Sequence, residues 1–120
     1  MTETDKLVQE FADCVVAQTD AIKAADHETG NRFARGYSKA FKTLRVVAGG
    51  RDALAALLLH QRDDVRAMAA AFLLRHRTAE ASAVLRELAH GKGVVAFGAI
   101  QALKRWQEGT WDLDPSDEHP

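Results

Sequence analysis

The run Leu54-Ala-Ala-Leu57-Leu58-Leu-His60-Gln-Arg-Asp63-Asp64-Val65-Arg66-Ala-Met68-Ala69 constrains the fold more than any other stretch of this chain. An apolar helix comes first, then a short polar turn opening on aspartate, then a second helix that starts Val-Arg. A helical hairpin of this kind cannot bury its apolar face alone, so it needs neighbours stacked beside it. The run therefore predicts an all-α chain, an α-α superhelix of stacked hairpins, rather than a globule organised around one pocket.

The rest of the sequence supplies the neighbours. Leu7, Phe11, Cys14, Val15, Gln18, Ile22 and Ala25 recur at intervals of three and four, which predicts a long first helix over about residues 5–26. Gly30-Asn31 reads as an interruption. A second periodic run follows, with Phe33, Tyr37, Ala40, Phe41, Leu44 and Val47 on one side, and Gly49-Gly50 is expected to end it. A third, shorter helix falls at about 52–59. Asp63 is placed to cap a fourth helix carrying Val65, Met68, Ala69, Phe72 and Leu73, and Thr78 to cap a fifth carrying Ala81, Val84, Leu85 and Leu88. After Gly91 and Gly93 comes a sixth, with Ala96, Ala99, Ile100, Leu103 and Trp106 on one face. The expectation is six helices in three hairpins, the inner ones being the second, fourth and sixth.

An internal repeat supports the count. A shift of 30 residues superposes Leu58-Leu-His60 on Leu88-Ala-His90 and brings Val65, Ala69 and Leu73 onto Val95, Ala99 and Leu103. The longer first hairpin departs from that register, as a terminal capping unit does. Beyond Trp106, Gly109 is expected to turn the chain back so that Trp111 and Leu113 cover the open end of the array. Residues 1–4 and 116–120 read as frayed ends of one domain spanning 1–120.

Composition narrows the function classes. The chain has 120 residues and a net charge of -1, enough for one core but not for a strongly polyanionic or polycationic surface. No stretch approaches the roughly 20 apolar residues of a bilayer span, and no secretory leader is readable, so the expected compartment is the cytoplasm. The single cysteine, Cys14, lies on the apolar face of the first helix and reads as a core thiol. Charge is segregated: residues 1–30 hold seven acids and two bases, 31–51 six bases and no acid, and the last eleven residues four acids and no base.

With the Val65-Arg66 hairpin and the ending Ala99-Ile-Gln-Ala102-Leu103-Lys-Arg-Trp106-Gln-Glu-Gly109-Thr-Trp111-Asp-Leu113-Asp in view, the chain resembles the small bacterial HEAT-like proteins grouped as domain of unknown function number two thousand and nineteen. The resemblance runs from Phe11 to Trp111, and its tryptophan-glycine-tryptophan ending is the most specific element. It implies an α-α superhelix of HEAT-like hairpins and no established activity. HEAT repeats often stack arginines against neighbouring acids, but here Val95-Ala96 stands where the earlier hairpin has Val65-Arg66, which leaves that ladder a single rung.

Catalytic and metal chemistry find little purchase. The histidines at 27, 60, 76, 90 and 119 include no pair at the helical spacing of a zinc site. Asp112, Asp114, Asp117 and Glu118 resemble the start of a calcium loop but lack its sixth-position glycine and twelfth-position glutamate. Asp63 and Asp64 read as capping acids, one of which pairs with Arg66. Gly91-Lys92-Gly93 lacks the rest of a phosphate loop. Ser38, Ser82 and Ser116 have no nucleophile-elbow context, and Cys14 has no identifiable base. No catalytic, cofactor-binding or metal-binding residue is assigned.

The best functional candidate is the second helix. At about 100° per residue, Arg32, Arg35, Lys39 and Lys42 fall within about 80° of one another, opposite the apolar stripe. Acids of the first helix, including Asp13, Asp20 and Asp26, are candidates to neutralise this ridge as surface pairs. The reading is a non-catalytic protein–protein interaction module with an acidic partner, one form of which is an immunity-type inhibitor of a toxin. Two other readings stay open: a small enzyme with a site between helix ends, built from His60, His90 and nearby acids, and nucleic-acid binding along the ridge. The near-zero net charge and the core-facing Tyr37 and Phe41 weigh against the last.

Overall fold

A computed structural model describes residues 1–115. Among these the chain is all-helical, with six α-helices and no strand: α1 (Glu3–Lys23), α2 (His27–Leu44), α3 (Gly50–Leu54), α4 (Asp63–Phe72), α5 (Thr78–Ala89) and α6 (Gly93–Glu108). A 3-10 segment, Ala55–Leu59, continues α3. The expected third helix is thus an α turn that tightens into 3-10 geometry, so Leu57 and Leu58 are buried while Leu59 points into water. No helix among the described residues is long and apolar enough to cross a membrane.

The boundaries differ from expectation where local rules met tertiary packing. α1 starts at Glu3, inside the stretch read as frayed, because Thr2 and Asp5 form a reciprocal capping box. It stops at Lys23, and Ala25 takes a left-handed φ of 58° that turns the chain into α2, which Asp26 caps by accepting from the Thr29 N–H. Gly30-Asn31 therefore does not break a helix; it lies within α2. Gly30 packs beside Ala21 and Ile22, and a Cβ on Gly36 would sit 2.8 Å from the Cys14 sulfur. These glycines let α1 and α2 approach closely. Gly49-Gly50 likewise ends nothing: α2 finishes at Leu44, Gly49 is the left-handed cap of α3, and a side chain on Gly50 would collide with the Leu44 carbonyl.

Asp63 and Thr78 are the first residues of their helices rather than the caps, which are Arg62 and Arg77. Asp64 accepts from the Val65 N–H and pairs with Arg62, whereas the Thr78 hydroxyl donates back to the Leu74 carbonyl. Of the two aspartates, it is Asp63 that meets Arg66. Arg66 also reaches Glu87 on α5 and the Leu58 carbonyl, so this single rung ties three successive elements together.

Packing corrects the expected inner layer. α4 lies between α1 and α6, not between α2 and α6; α2 packs on α1, the 3-10 segment on α4, and α5 on both α4 and α6. The apolar face of α2 is buried against α1 and meets α4 at Phe72, while its opposite face carries four cations that stay in water. Phe72 at the end of α4 joins the first hairpin to the rest, with ring centroids 5.4 Å from Phe11, 5.9 Å from Tyr37 and 4.8 Å from Phe41. Each such aromatic pair adds roughly 0.5–1.5 kcal/mol beyond the area it buries.

Candidate functional site

The residues expected to contact a partner, Arg32, Arg35, Lys39 and Lys42, are all exposed on one face of α2, while Tyr37, Ala40, Phe41 and Leu44 are buried on the other. Val47, placed on the apolar stripe by periodicity, lies past the helix end and is partly exposed. None of the four cations is ion-paired among the described residues. The acids of the first hairpin form no ion pair with them among the described residues: Asp13 accepts from Gln9, Asp26 caps α2 with its carboxyl held low by the Thr29 hydrogen bonds and, more weakly, by the charge of Arg32, and the charge of Asp20 acts on Arg62. Arg32 lies over the Phe33 ring at 5.2 Å, so the one half-buried aromatic beside the ridge is covered by a cation.

A groove runs along the other layer. Three helical stripes line it: Val15, Thr19 and Ile22 of α1, Ala67, Met68 and Ala71 of α4, and Val94, Val95 and Gly98 of α6. At one end it widens into a cleft of about 400 Å³ beside Lys23, Arg62 and Lys92. At the other, Trp111, Asp112 and Leu113 close it against Phe97 and Arg105. Val94 and Phe97 on its α6 wall are 58% and 63% exposed.

The tail that closes the groove does not spread over the outer edge of α6. Gly109, in the left-handed region at φ 74°, reverses the chain. The Trp111 indole then donates to the Ala71 carbonyl at 2.8 Å and meets Trp106 edge-on at 5.3 Å. Trp111 is half-buried rather than fully covered, and Leu113 stays exposed. Instead the tail plunges beneath α4 and buries Asp114, which is 1% exposed.

Asp114 is the feature that sequence reasoning missed. Its carboxylate is gripped by Arg45 at the end of α2 (Nε to Oδ1, 2.9 Å), by Arg51 of α3 (Nε to Oδ2, 2.6 Å; Nη2 to Oδ1, 2.8 Å) and by Arg75 beyond α4 (Nη2 to Oδ1, 3.2 Å). The same arginines hold the main chain. Arg75 Nε donates to the Asp114 carbonyl at 2.7 Å, and Arg45 and Arg75 both donate to the Pro115 carbonyl. Arg51 is itself oriented by a 3.0 Å bond to the Arg45 carbonyl. Burial alone pushes the Asp114 carboxyl up, but the hydrogen bond from Arg51 and the charges of Arg51, Arg75 and Arg45 outweigh it and hold the group below its ordinary value. The available signal was the base-rich 31–51 segment and the acid-rich tail. Asp112 is exposed, and Asp117 and Glu118 lie outside the described residues.

Among the described residues, His60 and His90 do not converge on a carboxylate. The His60 Nδ1 accepts from the Arg62 N–H at 3.0 Å, His90 is the exposed residue ending α5, and neither ring is hydrogen-bonded to a carboxylate among the described residues. His76 is the one that meets an acid, Asp52, at 2.7 Å, and there Arg77 joins it in a surface link between α3 and the α4–α5 turn. No group of three or more His, Cys, Asp or Glu side chains among the described residues is placed to hold a metal ion. Burial, together with the charges of Glu10 and Asp13, raises the Cys14 thiol above its ordinary value, which disfavours the reactive thiolate. Comparison with protein-family models, with curated proteins and with solved structures found no match to this chain.

Proposed function

We propose that this protein is a non-catalytic interaction module that binds an acidic protein partner through Arg32, Arg35, Lys39 and Lys42. The observation that carries the reading is that these four cations share one exposed face of α2 and are left without an ion pair among the described residues. A row of like charges on a rigid helix raises the local concentration of a complementary surface and fixes its register. Nucleic acid is the poorer fit, because Tyr37 and Phe41 are buried and Arg32 lies over the half-buried Phe33 ring, so no aromatic beside the ridge is fully exposed for base stacking. The sequence resemblance to small bacterial HEAT-like proteins, which rests on the Val65-Arg66 hairpin and the Trp106, Gly109 and Trp111 ending, suits such a role, and an immunity-type inhibitor of a toxin is one concrete form of it.

The test is photocrosslinking in the native host, with a photoreactive residue at exposed Asn31 beside the ridge and, as control, at exposed Glu80 on α5. The expected result is a discrete protein adduct from position 31 alone, lost when Arg35→Glu and Lys39→Glu are combined. A nucleic-acid adduct, equal adducts from both positions, or no adduct at all would overturn the reading.

A further inference from the structure

We infer that Arg45, Arg51 and Arg75 form a peptide-recognition socket for an extended, aspartate-bearing segment of a partner protein, and that residues 110–115 of the chain itself fill it in cis. Three separate turns, at the end of α2, the start of α3 and the end of α4, converge on one carboxylate that is 1% exposed. What they read is more than a charge. The socket takes a side-chain carboxylate together with the next two main-chain carbonyls, those of Asp114 and Pro115, and so is shaped for a peptide rather than for a free anion. Guanidinium groups suit this task because their planar donors engage a carboxylate through two parallel bonds, as Arg51 does here.

Two features make the socket exchangeable. Arg51 is held by the Arg45 carbonyl, which belongs to the body of the protein and not to the tail. The tail joins the body through Gly109, and its apolar anchor, Trp111, is only half-buried at the end of the groove. A segment arriving in trans would displace both anchors and open that end of the groove beside Phe97 and Gly98. None of Arg32, Arg35, Lys39 and Lys42 takes part, so ridge and socket can fail separately.

The test uses the full chain with Asp114→Ala, which removes the carboxylate that the three arginines share, and a fluorescein-labelled peptide Gly-Thr-Trp-Asp-Leu-Asp-Pro copied from residues 109–115. Fluorescence anisotropy should give saturable binding to the variant and at least tenfold weaker binding to the wild-type chain, whose own tail competes at high effective concentration. Replacing the second aspartate of the peptide by asparagine, or adding Arg51→Ala to the protein, should each weaken binding at least tenfold. Equal binding by the variant and the wild-type chain, or by the two peptides, would reduce the arginines to a clamp on their own tail. Should Asp114→Ala fail to fold, the wild-type chain is titrated with unlabelled peptide at millimolar concentration, and hydrogen exchange at the Trp111 indole should accelerate as the bond to Ala71 is given up. Unchanged exchange would overturn the proposal. So would dimerisation of the wild-type chain that Asp114→Ala abolishes, since the socket would then belong to the tail of a second copy.

Discussion

Lys42 and Arg45 are three residues apart, yet their side chains end in different environments. Lys42 projects into water without an ion pair among the described residues, while Arg45 donates to a buried carboxylate and to the Pro115 carbonyl. The ridge and two of the socket's three arginines, Arg45 and Arg51, use the same residue types on the same stretch of chain, so composition does not separate them. Desolvation does. A charge in water contributes little to stability and meets a partner at no cost to the fold, whereas a charge facing a buried carboxylate contributes to the fold and meets a partner only by exchanging one carboxylate for another, and removing either member strands the other.

The largest effect expected from this difference is at Asp114. Breaking a buried pair from one side costs about 3–5 kcal/mol, and because the three arginines are partly exposed we expect Asp114→Ala to fall near the lower end, about 3 kcal/mol. Urea denaturation measures it, and a midpoint equal to that of the wild type would make the socket ornamental. Acid should reproduce the loss. The folded carboxyl is held below its ordinary value of about 4, so its contribution is complete above that value and is lost as pH falls through the lower, folded one. The stability gap between the wild-type chain and Asp114→Asn should therefore hold steady from pH 7 to about pH 5 and close at more acid pH. A gap unchanged at pH 2.5 would show that ionisation is irrelevant to the grip.

Trp111 should matter less than Asp114. A fully packed tryptophan costs about 3–5 kcal/mol on truncation, but this one is half-buried, so Trp111→Ala is expected at about 2 kcal/mol. Trp111→Phe keeps a ring against Trp106 and gives up the bond to Ala71, which places it near 1 kcal/mol. If the two variants melted together, the indole hydrogen bond, not the packing, would be what anchors the tail at Trp111.

The order of helices was legible because apolar residues at intervals of three and four leave a signal within one element. What escaped was set between elements. Gly30 looks like a helix breaker until Ala21 and Ile22 lie beside it, and the place of α1 next to α4 is a contact between elements that the periodicity of neither one carries. Asp114 looked like a fragment of a metal loop because its neighbours in sequence are acids, whereas its partners stand 39, 63 and 69 residues away. The ridge was legible for the opposite reason: four positions on one helix face define it without help from any other element.

The smallest effect on stability, and the most informative about binding, is expected at the ridge. Arg35→Glu combined with Lys39→Glu removes no ion pair among the described residues and disturbs no buried group, so the melting temperature should move by no more than about 0.5 kcal/mol would imply. Both substitutions keep a good helix former on the exposed face of α2, so backbone propensity does not confuse the result. Against an acidic partner the association rate should fall, because rim charges act chiefly on encounter, and raising salt should slow the wild-type chain toward the variant as screening shortens the reach of the field. A stopped-flow series against ionic strength separates the outcomes. If both proteins associate at one rate at every salt concentration, the ridge is an ordinary solvated face; if the double variant also melts early, ridge and socket are less distinct than the burial of Asp114 implies.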